Sequence, residues 1–425
     1  MYPAIALFSF MFLLLLTIPI AMSLGLAAFI PGWLGAPINP SQVIRTIVTS
    51  IDSFPLLAVP LFMVAGDIMT QGGLARRLFS FADALLGRFN GGLAISTVVA
   101  CMLFGAISGS SPATVAAIGA MAIPLLVNNG YDKRFSTVLV TTAGTLGVIV
   151  PPSIPMIIYG MAANVSVSRL FIAGIGPALV IGALLCGYAF WYGTKHKDKI
   201  KTSAGKVPVH KALRESFWAL LAPVVVLGGI YSGAFTPTEA AAIAVAYSSF
   251  VALFIFRELN LSGLIKTIGQ TALIIAPILV ITGTGAALGR VFNLLRVPAM
   301  LGDLINGAIS DQIMLLLLIN GILLILGMFM ETLSAIIVLT PILLPIITPF
   351  GIDPLHFGLV MTTNLAIGFV TPPVGANIFI ATGLTKMSVV DLCKGLPVPL
   401  GLLLIGLAII TYVPDLSLWL AAAVG

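Results

Sequence analysis

The sequence predicts an all-α polytopic membrane protein built from two related halves. Of its 425 residues, 59% are hydrophobic and only 8% are charged, whereas soluble domains carry roughly 25% charged residues. Apolar segments of about 20 residues recur along nearly the whole chain and amount to roughly ten to twelve crossings or half-crossings. Two of them contain paired prolines, Pro151-Pro152 and Pro372-Pro373. Because proline removes a backbone donor and clashes with the preceding turn, both helices are expected to break inside the membrane.

The first half opens with four elements. Residues 2–30 are expected to form one span, kinked at Pro19. Residues 39–54 are polar and amphipathic, so they are placed near an interface, and residues 55–70 form the next span, which carries Asp67. Residues 73–88 have an apolar face flanked by Arg and Asp, which predicts an interfacial helix rather than a span.

A re-entrant hairpin and a broken helix are predicted next. Residues 91–130 are apolar except for the polar centre at 108–114. Each half is about 15 residues, or near 22 Å as a helix, which is short for a hydrocarbon core of about 30 Å. Residues 134–163 contain the first double-proline break, and residues 171–192 form a further span.

The loop at residues 193–215 is the most basic part of the chain, with six lysines and one arginine. The positive-inside rule places it in the cytoplasm. The segment after Pro397 has no Lys or Arg, so the C-terminus is expected on the periplasmic side.

The second half resembles the first in the order of its elements. In chain order it contains spans at 216–233 and 238–256, an interfacial segment at 261–266, a span at 267–288, a hairpin at 311–351 with a polar centre at 327–334, the second broken helix at 356–384 and a last span at 396–412.

A constant offset relates the halves. Thr141-Thr142 matches Thr362-Thr363, and Pro151-Pro152 matches Pro372-Pro373, both with a difference of 221 (362 − 141 and 372 − 151). If the basic loop is inside and the C-terminus outside, each half crosses an odd number of times and the copies are inverted. Inverted repeats with paired broken helices indicate a secondary transporter whose site lies near the midplane.

One cation site is predicted in each half, where a hairpin tip meets a helix break. Hydroxyls, unwound carbonyls and glycines that allow close approach suit a hard monovalent cation. The first site would join Ser108, Gly109, Ser110 and Ser111 to Gly144, Gly147 and Val150. The second would join Gly327, Met328, Glu331 and Thr332 to Gly368 and Thr371. The alternative is that these small residues only let helices pack closely.

Substrate contacts are expected just beyond the breaks, from Pro152, Ser153, Gly375 and Asn377. Glu331 is the one carboxylate in the middle of a long apolar stretch. It would either line the cation or substrate site or cap the hairpin helix.

Other classes of function are not favoured by the sequence. It contains no HExxH and no GxxxxGK[ST] motif, which argues against a metalloprotease or an ATPase. Ser108-Gly109 faintly resembles an intramembrane serine protease, but its general base is missing, so we expect no enzyme. The cations lie in short loops, so the net charge of +6 does not indicate nucleic-acid binding. A passive channel fits inverted hairpins poorly, and proton coupling is disfavoured because membrane-embedded carboxylates and histidines are few.

Four motifs carry a resemblance to a known family: SGSSPAT at 108–114, GTLGVIVPPSIPMIIYG at 144–160, the GYD and GID turns at 130–132 and 351–353, and FVTPPVGANIFIATG at 369–383. Over essentially the whole chain, the sequence resembles the large membrane subunit of tripartite ATP-independent periplasmic (TRAP) transporters. The resemblance implies a sodium-coupled elevator in the bacterial inner membrane. It also implies two partners, a small membrane subunit of about four helices and a periplasmic substrate-binding protein.

On that resemblance, the chain divides into a static scaffold and a mobile transport domain. The scaffold would comprise residues 1–88 and 216–309, each with an interfacial arm helix, and the transport domain residues 89–192 and 310–425. Family substrates are mostly small carboxylates, including C4-dicarboxylates and sialic acid, and the sialic acid branch has the greatest overall likeness. Some family members fuse the small subunit to this one; since this chain shows no such extension, a separate subunit is expected.

Overall fold

The computed structural model describes residues 2–201, 208–308 and 311–424 as helices joined by short connections. Residues 202–207 of the predicted basic loop, and residues 309–310 where the scaffold was predicted to end, lie outside the described residues. The helices of the first half are α1 (Tyr2–Leu15), α2 (Ile20–Trp33), α3 (Pro40–Ile51), α4 (Ala58–Gln71), α5 (Leu74–Leu86), α6 (Gly92–Ser108), α7 (Ser111–Asn128), α8 (Lys133–Ala143), α9 (Leu146–Ile149), α10 (Ile154–Ala163) and α11 (Val167–Lys195). Those of the second half are α12 (Val209–Tyr231), α13 (Pro237–Phe250), α14 (Leu261–Leu294), α15 (Val297–Ala308), α16 (Gln312–Phe329), α17 (Thr332–Ile347), α18 (Pro354–Gly368), α19 (Ala376–Thr385), α20 (Val389–Cys393), α21 (Pro397–Tyr412) and α22 (Asp415–Val424). Short 3₁₀ turns at Phe54–Leu57 and Thr348–Phe350 and a π-helical turn at Val251–Ile255 complete them.

The prediction of an all-α polytopic membrane protein is confirmed. Within the described residues, 8 helices are long and apolar enough to cross a membrane, or up to 10 if each bent pair is one span. The first broken helix is one of these pairs, with a bend of 41° between its two parts. Between 33% and 61% of each of these 8 candidate spans is buried inside the protein, so the remaining apolar surface is available for contact with lipid.

The predicted first span is wrong in its extent. Residues 2–30 form two helices, α1 and α2, of 14 residues each. The two helices lie side by side. The hydroxyl of Tyr2, at the start of α1, is 3.4 Å from the position that a Cβ atom would take on Gly35, which follows α2. The chain reverses at Thr17, whose φ is +59°, so Pro19 begins a second helix instead of kinking the first.

The second arm helix is also not a separate element. The predicted interfacial segment at 261–266 is the beginning of α14, a continuous helix of 34 residues. Asn260 caps this helix, since its side chain accepts a hydrogen bond of 2.7 Å from the amide of Gly263. The interfacial segment is expected to end at residue 266, but no pair of glycines or prolines occurs near this position. Nothing therefore ends the helix there.

Hairpin 1, formed by α6 and α7, turns over two residues only. Gly109 has φ +59° and ends α6 in the left-handed region that favours glycine. Ser110 caps α7, and Pro112 stands in its first turn. The arms have 17 and 18 residues, longer than predicted, because the polar residues from Ser111 to Thr114 are helical.

Hairpin 2, formed by α16 and α17, has the same design with a different cap. Its arms have 18 and 16 residues. Glu331 caps α17, and its Oε2 accepts hydrogen bonds from the amides of Leu333 at 2.9 Å and Ser334 at 3.1 Å. The capping alternative for Glu331 is confirmed.

Both double-proline segments interrupt helices as predicted. Residues 150–153 separate α9 from α10, and residues 369–375 separate α18 from α19. The peptide bonds Pro151-Pro152 and Pro372-Pro373 are cis. The basic loop is shorter than predicted, because α11 continues to Lys195 and α12 begins at Val209.

Candidate functional site: two hairpin tips packed against two helix breaks

The tip of hairpin 1 lies against the first break. The amide of Ile154, at the start of α10, lies 3.4 Å from the carbonyl oxygen of Gly109 and donates a hydrogen bond to it. One turn before the tip, a Cβ atom on Gly105 would be 2.9 Å from the Cα of Gly147. The tip of hairpin 1 therefore lies beside the break in the first broken helix, and its re-entrant path in the membrane stays a prediction.

Two hydroxyl groups and the backbone of Ser110 meet at this tip. Thr114 donates to the carbonyl oxygen of Ser110 at 2.8 Å, and its Oγ1 lies 3.4 Å from the Oγ of Ser108. The amide of Ser110 also donates to the Oγ of Ser108, at 3.4 Å. Ser108 and Thr114 are fully buried. The result is a compact group of neutral oxygen atoms with no carboxylate among them, beside the glycine-lined start of the break.

The second half repeats the close backbone contact. A Cβ atom on Gly368, at the end of α18, would be 2.5 Å from the carbonyl oxygen of Gly327 in α16. The pairs Gly105–Gly147 and Gly327–Gly368 are related by the repeat (327 − 105 = 222 and 368 − 147 = 221). In both halves, then, hairpin and broken helix meet where only hydrogen atoms fit between them.

Hydroxyl and carbonyl groups also line the second break. Thr371 donates from its hydroxyl to the carbonyl oxygen of Ile367 at 2.8 Å, and from its amide to that of Gly368 at 3.1 Å. Thr332 is buried at the start of α17, and Met328 is half-buried near the end of α16. Of the predicted second group, Gly327 and Gly368 are in direct contact. Met328, Glu331, Thr332 and Thr371 lie within five residues of one of these glycines along the chain, and a shared cation site stays a prediction.

The two tips differ in exposure. At the tip of hairpin 1, Gly109 and Ser111 are buried and Ser110 is half-buried, whereas Glu331 at the tip of hairpin 2 is exposed. Only Oε2 of Glu331 is engaged in hydrogen bonds within the described part of the chain. No described hydrogen bond engages the other carboxylate oxygen, Oε1, which keeps its capacity as an acceptor.

Asn377 connects the two halves. Asn377 lies in the first turn of α19, in the second half. Its Nδ2 donates to two groups of the first half, the Oγ of Ser111 at 2.8 Å and the carbonyl oxygen of Thr141 at 3.1 Å. A Cβ atom on Gly144 would lie 3.3 Å from the same Nδ2. Asn377, Ser111 and Thr141 are all completely buried. The structure thus gives Asn377 a bridging role, and a contact with substrate stays a prediction.

The remaining predicted residues lie on the two breaks. Ser153 is buried and caps α10 by accepting a hydrogen bond of 3.4 Å from the amide of Met156. The Pro152 carbonyl oxygen would lie 3.0 Å from a Cβ atom on Gly109, so this proline faces the hairpin tip. Val150 is half-buried at the end of α9, and Gly375, with φ +42°, begins the turn into α19.

Sequence reasoning missed two groups of polar residues. Thr114 and Thr141 were not assigned to the site, although Thr114 is one helical turn from Ser110 and therefore on the same face. The second group lies away from both tips and joins α16, α18 and α21. In it, Asn364 donates to the Oδ1 of Asn320 at 2.7 Å, and Asn320 donates to the hydroxyl of Thr411 at 3.2 Å. A lone asparagine in an apolar helix was the available signal.

Comparison with known proteins identifies the family of the chain. The family described as "Tripartite ATP-independent periplasmic transporter, DctM component" matches residues 7–416. An isethionate TRAP transporter permease protein of Oleidesulfovibrio alaskensis is 44% identical over 97% of this chain, and the chain spans 65% of that relative's length. A C4-dicarboxylate TRAP transporter large permease protein of Pseudomonas aeruginosa is 40% identical over 93% of each chain. An ectoine/5-hydroxyectoine TRAP transporter large permease protein of Ruegeria pomeroyi is 37% identical over 96% of each chain.

Two solved structures share the fold at low sequence identity. The YdaH transporter of Alcanivorax borkumensis superimposes with a TM-score of 0.67 at 17% identity, covering 100% of this chain and 99% of its own. MtrF of Neisseria gonorrhoeae, described as illuminating a class of antimetabolite efflux pumps, gives 0.66 at 13% identity over 94% and 93% of the two chains. The chain therefore belongs to the DctM family of TRAP transporter large permease subunits, whose members are transporter components rather than enzymes.

Proposed function

We propose that this chain is the large permease subunit of a sodium-coupled importer of small organic anions. The observation that carries the proposal is the repeated junction, in which a hairpin with hydroxyl, carbonyl or carboxylate oxygen atoms at its tip packs against a broken helix. Broken helices at membrane depth supply carbonyl oxygens for a cation and helix N-termini for an anionic group. The first half offers these oxygens from Ser108, Ser110 and Thr114, and the second from Thr371 and Glu331.

Sodium rather than protons is the proposed coupling ion. The oxygens at the first junction belong to hydroxyl and backbone groups, which do not titrate at physiological pH. Such a neutral oxygen set suits a monovalent cation, whereas proton coupling needs ionisable groups along the pathway. Proton coupling remains the second candidate, and Glu331 is the carboxylate that would carry it.

The proposed partners are a small membrane subunit and a periplasmic binding protein, as the tripartite family description implies. Named relatives differ in substrate, from isethionate and C4-dicarboxylates to ectoine. Selection of the solute is therefore assigned mainly to the binding protein. A sialic acid stays among the proposed substrates, beside isethionate and C4-dicarboxylates.

We further propose that the hairpins and broken helices move as a transport domain against a scaffold formed by α1–α5 and α12–α15. The basic loop is placed in the cytoplasm and the C-terminus in the periplasm of a bacterial inner membrane. This orientation rests on the positive-inside rule.

Sodium binding can be tested on the purified chain without knowing the substrate. A ligand that binds only the folded state raises the unfolding temperature as its concentration rises. We expect NaCl to raise this temperature relative to KCl at equal ionic strength. Ser110→Ala and Thr371→Ala should each reduce the sodium-dependent rise, because each removes a hydroxyl from one junction. Thr382→Ala, the same change in α19 beyond the second break, is the control and should respond like the wild type. Equal unfolding temperatures in NaCl and KCl would contradict the sodium sites.

Uptake tests the full proposal. Liposomes containing both membrane subunits would receive a binding protein and radiolabelled isethionate, succinate or sialic acid, with sodium and proton gradients imposed separately. We expect accumulation against the solute gradient that requires inward sodium and the binding protein. Accumulation driven by a proton gradient in sodium-free buffer would favour the second candidate, and equilibration without accumulation would indicate a channel.

A further inference from the structure

A cavity of about 500 Å³ opens on the scaffold, away from both hairpin tips. It lies between the amphipathic helix α5, the first turns of α12 and the residues that follow α13. Its polar lining includes Arg76, Arg77 and Arg214, and its apolar lining includes Trp218 and Phe256. Three guanidinium groups and two large rings therefore share one cavity.

The arginines differ in how far they are already engaged. Arg77 is held on three sides: it donates to Glu258 at 2.6 Å and to the carbonyl oxygen of Gly73 at 3.0 Å, and it lies 3.6 Å above the ring of Phe256. Arg76 also donates to Glu258 at 2.6 Å, but 63% of its side chain is exposed. One carboxylate thus faces two guanidinium groups, which leaves positive charge at the mouth of the cavity.

Arg214 adds to this positive charge. It is exposed on the first turns of α12, and within the described residues it forms no ion pair. Glu215 also lines the cavity, so three guanidinium groups face two carboxylates in all. A planar guanidinium with free donors binds phosphate oxygens by paired hydrogen bonds.

The two candidate spans that contribute to the cavity also carry exposed aromatic rings, of which Trp218 lines the cavity itself. Phe217 and Trp218 on α12 are 50% and 37% exposed, and Phe250 and Phe254 at the end of α13 are 51% and 62% exposed. Tryptophan in such a position is typical of the boundary between headgroups and acyl chains, and exposed phenylalanine offers apolar surface to acyl chains. We therefore infer that the charges lie at headgroup level, with an apolar surface near them.

We propose that this cavity binds the headgroup of an anionic phospholipid. The lipid phosphate would lie between Arg76 and Arg214, and its acyl chains would run along Phe217 and Phe254. A free phosphate would use the same arginines but would gain nothing from the rings. Juxtamembrane basic pockets of this kind recognise anionic headgroups through charge. The bound lipid would link α5 of the first half to α12 of the second.

Lipid binding by the delipidated, full-length chain in detergent tests the proposal. Phosphatidylglycerol, phosphatidylcholine and inorganic phosphate would be titrated separately, and bound molecules counted by native mass spectrometry. We expect phosphatidylglycerol to bind at least tenfold more tightly than phosphatidylcholine. Inorganic phosphate at millimolar concentration should not displace it. Equal affinity for the two lipids, or full displacement by phosphate, would overturn the proposal.

Two charge-neutralising variants make the test local. Arg214→Gln should weaken phosphatidylglycerol binding about fivefold, the effect of one juxtamembrane cation. Arg169→Gln is the matched control: it removes the same charge from an exposed position at the opposite end of α11 from the basic loop. Both variants leave every described ion pair intact. If Arg214→Gln binds phosphatidylglycerol as tightly as Arg169→Gln does, the site is not where we place it.

Discussion

At the residue scale, the two glycine contacts decide how closely hairpin and broken helix approach. A Cβ atom on Gly147 would be 2.5 Å from the carbonyl oxygen of Ser110. That oxygen belongs to the backbone of the hairpin tip, which cannot rotate away as a long side chain would. Added volume in a packed interior costs about 1–3 kcal/mol when the surroundings cannot give way.

Gly147→Ala is therefore expected to lower the free energy of unfolding by about 1–3 kcal/mol and to remove the sodium-dependent rise in unfolding temperature. Thermal unfolding in NaCl and in KCl measures both effects. Gly321→Ala is the matched control, because a Cβ atom at this glycine of α16 meets nothing within 4 Å. If both variants unfolded alike, close packing at the first junction would not matter.

Several residues of the site could be predicted from their chemistry and spacing, and others could not. The double prolines and the polar hairpin centres identify both junctions, because each interrupts an apolar helix. The sequence predicts a substrate contact for Asn377 just beyond the second break, whereas its bridge to Ser111 joins positions 266 residues apart. A sequence pattern covers only a few neighbouring residues. It cannot reveal a contact across such a sequence separation, so the buried partner of Asn377 could not be predicted.

At the element scale, the hairpins share one design but present different tips. Serine caps the second arm of hairpin 1, and glutamate caps that of hairpin 2. The first tip is packed against α4, where a Cβ atom on Gly66 would lie 3.0 Å from the Cα of Ser108. The exposed residues at the second tip indicate that it is the more accessible of the two in this conformation.

Cysteine labelling should report this difference. In a background with Cys186→Ser and Cys393→Ser, the remaining Cys101 is buried. A membrane-impermeant maleimide is expected to label Glu331→Cys within minutes and to leave Ser111→Cys unlabelled, because a buried thiol is not reached by solvent. Rapid labelling of both, measured by the mass shift of the intact chain, would contradict the difference between the tips.

The boundaries of elements were predicted less well than their kinds. Hydrophobicity alone suggested one span for α1 and α2, because a single proline in an apolar run indicates a kink as readily as an end. The 34-residue length of α14 could not be predicted for the opposite reason: by analogy with the amphipathic helix of the first half, residues 261–266 suggest a separate interfacial segment. In both cases packing against neighbours, which the sequence does not display, decides where the helix ends.

At the scale of the whole molecule, relative motion of scaffold and transport domain can be tested by two disulfides at neighbouring positions of α14. A Cβ atom on Gly285 would lie 3.4 Å from the Cβ of Ile337 in hairpin 2, and one on Gly25 would lie 4.0 Å from the Cβ of Thr284. Both distances are close to the range of about 3.5–4.5 Å found in disulfides. The first pair joins the proposed scaffold to the proposed transport domain, and the second joins two scaffold helices.

Oxidised Gly285→Cys/Ile337→Cys is expected to lose at least tenfold in uptake rate, with recovery on reduction, because an elevator cannot move while the two parts are linked. Oxidised Gly25→Cys/Thr284→Cys should transport as it does when reduced. Uptake into the liposomes described above, before and after reduction, is the measurement. Unimpaired uptake by the first pair, with the cross-link verified by mass spectrometry, would exclude this motion.

The bridge made by Asn377 has a consequence for how a duplicated protein can work. Its amide belongs to the second copy, while the hydroxyl and carbonyl that it satisfies belong to the first. In the water-free interior of the membrane, separating these groups would leave polar atoms of both copies without hydrogen-bond partners. The bridge therefore couples the tip of the first hairpin to the second broken helix. On the function proposed above, we expect the two junctions to move together rather than independently.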